Sequence, residues 1–154
     1  MGDDQPDDEL DQLTPSGNKH FGFPYCHQGM LPDPEFGRGR NCADFAQPAW
    51  LLGPHAAALG MRFYDGSQFP TKYRGAIFIA RHGPWNRSKK FAADVVVAFP
   101  DGRGGIAKME PFLGGLVENN AFLGRPVDVL VRKDGSLLVS DDLNGAVYRI
   151  SAAP

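Results

Sequence analysis

Four basic side chains stand where they could grip an anion. Arg81, His82 and Arg87 fall in one polar, aromatic stretch, Arg81–Ser88 (RHGPWNRS), directly after the apolar run Ala76–Ala80, and Arg125 opens the final run of alternating residues. A guanidinium offers a planar fork of donors that matches a carboxylate, and an imidazole takes or gives a proton near neutral pH. The blander expectation for Trp85 and Arg87 is that they stack and close their own loop. His55, in GPHAAALG (53–60), is a further candidate, although a lone histidine serves as readily in a structural hydrogen bond. At the N-terminus, six carboxylates fall within residues 2–11 (GDDQPDDELD). Such oxygens suit a hard cation, which takes roughly 6–8 of them; without a cation they read as a solvated face or a frayed end.

The elements that must position these residues read as short strands. Residues 127–131, 136–140 and 146–150 are apolar runs separated by Asp134-Gly135 and Asn144-Gly145, the strongest short hairpin signals a sequence offers. A three-strand meander with one apolar face must pack on another sheet. Residues 76–80 and 94–100 (DVVVAFP) are β-branched or apolar and add two more strands. Residues 27–53 read as one long loop, since Pro-Asp-Pro and two Gly-Arg pairs break any periodicity. Residues 101–105 (DGRGG) form a flexible turn, and 106–123 read as a linker into the last meander. The glycine-rich turn lacks the Lys-Ser/Thr and the helix of a phosphate loop.

At 154 residues the chain is one domain's worth, taken here as 1–154. Nineteen glycines and thirteen prolines suit many turns and short strands, hence an all-β fold. A net charge of −2 gives no basic footprint for nucleic acid or an anionic membrane surface. No apolar run approaches the roughly 18 residues of a membrane span. Cys26 and Cys42 lie sixteen residues apart and fit no common metal spacing; a disulfide and a pair of buried free thiols both stay open.

Several stretches together resemble the soluble quinoprotein sugar dehydrogenases, in the glucose/sorbosone dehydrogenase branch. They are GDDQPDDELD (2–11), SGNKHFGFPYC (16–26), GPHAAALGMRFYDG (53–66), YRGAIFIARHGPWNRS (73–88) and GRPVDV…DGSLLVSDDLNGAVYRI (124–150). The resemblance implies a six-bladed β-propeller holding pyrroloquinoline quinone (PQQ) and calcium, of which this chain would be roughly the last two or three blades. It implies that Arg125 pairs with a PQQ carboxylate, that His55 faces the cofactor or the substrate mouth, and that Arg81 and His82 can reach the cofactor. It also implies that Gly2 and Asp3 sit at a calcium bridging to PQQ, and that Glu9, with the backbone carbonyl of Phe21, holds a second calcium. Two departures stand out: Arg81 replaces a common glutamate, and Val127 replaces a second arginine clamp.

The implied reaction is oxidation of an aldose or sorbosone. Its histidine base belongs to earlier blades, so a C-terminal fragment inactive alone is expected. The alternative is a non-catalytic β-module that binds calcium or a sugar-like ligand and self-associates through open strand edges. The family is periplasmic or extracellular. Met1 is followed directly by Gly-Asp-Asp, with no export signal, so a cytoplasmic location is expected for the chain as it stands.

Overall fold

Short strands joined by glycine- and proline-bearing turns make up this chain, as its composition predicts. The structure is a computed structural model that describes residues 1–15, 17 and 19–153; Ser16 and Asn18 of the SGNKHFGFPYC motif lie outside the described residues. Helix among the described residues is confined to two single 3-10 turns, Cys42–Asp44 and Thr71–Tyr73. No helix is long and apolar enough to cross a membrane. The chain divides into two units, Met1–His55 and Ala56–Pro154.

In the first unit the strands are β1 (Asp7–Leu10), β2 (Cys26–His27), β3 (Leu31–Pro32) and β4 (Trp50–Pro54). The acidic N-terminal stretch is therefore not simply a frayed end. Four of its residues become β1, which pairs antiparallel with β4 from Asp7↔Pro54 to Leu10↔Trp50 and carries a bulge between Asp8 and Glu9. The segment expected to be one loop holds three short strands. β2 and β3 form a minimal hairpin, and β4 closes the segment. What ties it down is a Cys26–Cys42 disulfide with a Cα–Cα distance of 5.7 Å, Cys26 being 1% exposed. The open choice between bridge and free thiols is thus decided for the bridge. Asp33 secures the turn after β3. Its carboxylate accepts from the N–H groups of Glu35 (2.9 Å) and Phe36 (2.8 Å) and meets His27 Nε2 at 2.9 Å.

The second unit starts with β5 (Ala58–Phe63), β6 (Ile77–Arg81), β7 (Asp94–Pro100) and β8 (Ile106–Leu113), a four-stranded antiparallel sheet in chain order. A small ribbon of β9 (Val117–Glu118) and β10 (Ala121–Phe122) follows. The chain then enters the meander β11 (Pro126–Val131), β12 (Leu137–Asp141) and β13 (Ala146–Ile150). The three meander strands lie where the hairpin signals put them. Gly135 has φ +82° and Gly145 φ +59°, which only glycine adopts without a Cβ penalty. At Gly135 a Cβ would also come within 2.8 Å of the Gln68 nitrogen.

β8 corrects the expectation of a linker. Its sequence, IAKMEPFL, does not alternate cleanly because the β7–β8 register shifts at Val95/Val96 and again at Phe99/Pro100. Each bulge moves the next side chain to the other face.

The two sheets of this unit meet over one apolar core of Tyr64, Phe78, Val95, Val97, Val129, Leu137 and Val139, each at most 1% exposed. Phe112 caps it edge-on, 4.6 Å from the Phe78 ring. Side chains of this size stabilise by roughly 1.5–3 kcal/mol each when fully buried. One polar group lies inside it and is fully used. The Tyr64 hydroxyl donates to the Gly135 carbonyl (2.8 Å) and accepts from the N–H groups of Gln68 (3.1 Å) and Phe69 (3.0 Å). That hydroxyl fastens the turn of the second sheet to the first.

Candidate functional site

β6 is buried at all five positions, and its apolar pull fixes where the next residues emerge. The loop after it is then pinned from two sides. The His82 N–H donates to the Ala57 carbonyl (2.9 Å) and the Gly83 N–H to the Ala56 carbonyl (2.8 Å). From the other side Arg125 donates through Nε to the His82 carbonyl (3.1 Å) and through Nη2 to the Gly83 carbonyl (2.6 Å). Its guanidinium lies 4.7 Å from the centre of the Phe122 ring. Gly83 permits this closeness: a Cβ there would stand 2.8 Å from the Phe122 ring.

Arg125 is held in turn by Asp141, 2% exposed, whose Oδ1 accepts from the Arg125 N–H at 2.9 Å. The same carboxylate accepts from the N–H groups of Leu143 (3.0 Å) and Asn144 (3.2 Å), from the Asn144 amide (2.8 Å) and from the Tyr148 hydroxyl (2.7 Å). Burial pushes this carboxyl up. The hydrogen bonds from Arg125, Tyr148 and Asn144 outweigh burial and hold it down at about 2. Asp141 is therefore a fixed anion at any ordinary pH.

Three of the four residues expected at a cofactor thus lie in one unit and two of them touch: Arg125 grips the His82 backbone. The His82 ring points Nε2 at the Asp142 carboxylate, 2.8 Å away. Arg81 is 8% exposed and its fork is bound to its cross-strand partner Asp94, Nε to Oδ1 at 2.8 Å and Nη2 to Oδ2 at 2.6 Å. In that geometry Arg81 braces the start of the loop. Arg87 lies 5.4 Å from the Phe91 ring centre, and Trp85 is 83% exposed. The expected closing stack of Trp85 on Arg87 is replaced by Arg87 on Phe91, because Phe91 lies between Arg81 and Arg87 and takes the cation–π role.

The fourth residue, His55, ends the first unit at φ +54°, its Nε2 2.9 Å from the Gly2 carbonyl oxygen. Of the residues expected at calcium, Gly2 therefore already has a hydrogen-bonding partner. Asp3 is half-buried, and Phe21 is half-buried beside Gly22, which turns at φ +106°. Glu9, on β1, has its carboxyl pushed up by burial and by Asp11, against backbone hydrogen bonds from Gln28 and Gly29. Among the described residues no three His, Cys, Asp or Glu side chains converge as a metal site. A calcium held here would therefore draw most of its roughly 6–8 oxygens from backbone carbonyls such as those of Gly2 and Phe21.

No family model matches the chain. A Borreliella burgdorferi protein of uncharacterised function is 34% identical over 153 residues, which takes in 97% of this chain and 40% of that protein. The structure resembles that of a carbohydrate-active enzyme of family AA12 from Trichoderma reesei. There the TM-score is 0.77 at 17% identity, over 96% of this chain and 44% of that one. The PQQ domain of a pyranose dehydrogenase from Coprinopsis cinerea is also similar, with a TM-score of 0.66 at 21% identity over 99% of this chain and 46% of that one.

This chain is part of a β-propeller. The β5–β8 sheet and the β11–β13 meander are neighbouring blades of it, and the Arg125 corner lies between them. The propeller portion seen here spans about two fifths of the Borreliella protein and a little more of the AA12 enzyme.

Proposed function

We propose that this chain is the C-terminal part of a quinoprotein oxidoreductase acting on sugars, and that its Arg125 corner binds a carboxylate of PQQ. One observation carries the reading. Arg125 is fixed by Asp141 and by two backbone carbonyls, yet its Nη1 has no partner among the described residues. A guanidinium held so firmly and left with donors to give suits a rigid polycarboxylate. Support for the cofactor comes from the likeness to a PQQ domain, and support for the substrate class from the carbohydrate-active and pyranose-oxidising neighbours.

When bound, such a quinone supplies two-electron oxidation of a sugar hydroxyl; the residues of this chain bind and orient it. Arg125 neutralises one carboxylate, Asp141 and the loop carbonyls hold the Arg125 fork still, and Arg81 with Asp94 braces the loop. With the base of such a reaction expected in earlier blades, dye reduction with aldoses is not expected of the chain alone. Titrating PQQ into the purified chain by calorimetry tests the reading. Loss of one charge-assisted pair is worth about 1.5–3 kcal/mol, so Arg125→Ala is expected to weaken binding about 10–100-fold. Equal affinity in the variant, or no saturable binding by the parent, overturns the assignment.

A second reading, a self-associating module, is favoured by the outward face of the meander. Leu130 (51% exposed) and Val147 (65% exposed) flank a depression of about 180 Å³ with Asp128, Leu138 and Ser140. Here the occupant would be a second copy. Light scattering is then expected to give a dimer or larger ring that Val147→Lys returns to monomer; a parent that stays monomeric at high concentration removes this reading.

A further inference from the structure

Trp85 sits on a loop pinned from two sides and is nevertheless the most exposed large apolar side chain of the second unit, at 83%. Pro84, the residue before it, is under 2% exposed, and Gly83, before that, is held through both its N–H and its carbonyl. The backbone is thus held up to the residue before the tryptophan, and the indole stands in water at its end. A surface aromatic carried by a loose loop would need no explanation; one carried by a rigid turn beside a candidate site does.

We propose that Trp85 is the stacking platform for the sugar, receiving the apolar C–H face of a pyranose ring. This rests on the reading of the Arg125 corner as the cofactor site and adds to it the residue that selects a ring-shaped substrate. The surroundings complete the chemistry. Asp142, its side chain 61% exposed and hydrogen-bonded to His82 Nε2, offers acceptor oxygens to sugar hydroxyls, and Asn86, the next residue after Trp85, is exposed and carries a further amide. An indole face against C–H groups with hydrogen-bonding groups at the rim is what a pyranose requires, since one face of the ring is apolar and its edge is polar.

The test uses Trp85 fluorescence. The chain has two tryptophans, so Trp50→Phe leaves Trp85 as sole reporter. Adding methyl β-glucopyranoside is expected to shift its emission to the blue, saturating in the millimolar range, whereas the open-chain polyol mannitol is expected to leave it unchanged. In the otherwise native chain, Trp85→Ala is expected to weaken glycoside binding, read by saturation-transfer NMR, about tenfold or more, with Trp85→Phe in between. PQQ titration of Trp85→Ala is expected to match the parent. An unshifted emission, or an equal response to mannitol, overturns the platform. A sugar response in a chain that binds no PQQ overturns the cofactor reading and leaves the platform standing.

Discussion

Replacing Asp141 by alanine is expected to lower the stability of the second unit by roughly 2–4 kcal/mol and to release Arg125 with it. The size follows from what the carboxylate does. It is 2% exposed, and it accepts three backbone N–H groups, an amide and a phenol. Removal strands donors partly inside the protein, and stranded donors cost more than the net worth of the bonds they made. Thermal denaturation followed by circular dichroism is expected to show a midpoint about 10 °C lower. Asp141→Asn keeps the oxygen that faces the N–H groups but turns an amide toward Asn144, so it should fall about halfway.

The same group sets an acid limit. Its folded value of about 2 lies below the ordinary 3.8, so the folded state favours the ionised form. That stabilisation is fully present above the ordinary value and is lost as pH falls toward 2. Unfolding between pH 4 and 2 should therefore flatten in Asp141→Asn. A variant as stable as the parent, with the same acid limb, would show that the hub holds nothing.

How much of this is legible in the sequence depends on whether the determinant is local. Asp134-Gly135 and Asn144-Gly145 carry their own backbone geometry, and the strands they join follow from them within a residue or so. The apolar runs Ile77–Ala80 and Val95–Ala98 are equally plain, because strands buried on both faces need no alternation. β8 is hidden by two bulges, and β1 by its carboxylates, which a paired strand tolerates when its side chains stay near water.

The site is legible in residue type and not in commitment. Arg81 and Arg125 look alike as guanidiniums that follow or open a strand. What separates them is register: Arg81 falls opposite Asp94 across β6–β7, and that pairing takes its fork. Asp141 is the residue that sequence reasoning passes over. A signal for it exists, since an aspartate that opens an Asp-Asp-Leu-Asn-Gly turn can collect the N–H groups two and three residues on. Its reach to Arg125, sixteen residues back, needs the meander to be closed first.

Gly60→Ala is the sharpest test of how the two blades meet. On β5, Gly60 faces β11 so closely that an ideal Cβ would come 2.6 Å from the Asp128 Cα and run into the Asp128 carboxylate. The carboxylate could swing away; the Cα could not, because Asp128 sits in β11 between Pro126 and Val129, both buried. One methyl group must therefore push two sheets apart over their shared core, loosening Val129 against Phe78 and Val97. A cost of about 3 kcal/mol or more is expected, at the upper end for overpacking, because backbone opposes backbone. Gly114→Ala is the control: nothing lies within 4 Å of where an alanine methyl would sit, and its φ is unremarkable for an L residue, so its stability should stay within about 0.5 kcal/mol of the parent. If urea denaturation gives both variants the parent's midpoint, β5 and β11 do not pack as neighbouring blades, and the corner that Arg125 closes between them falls with that contact.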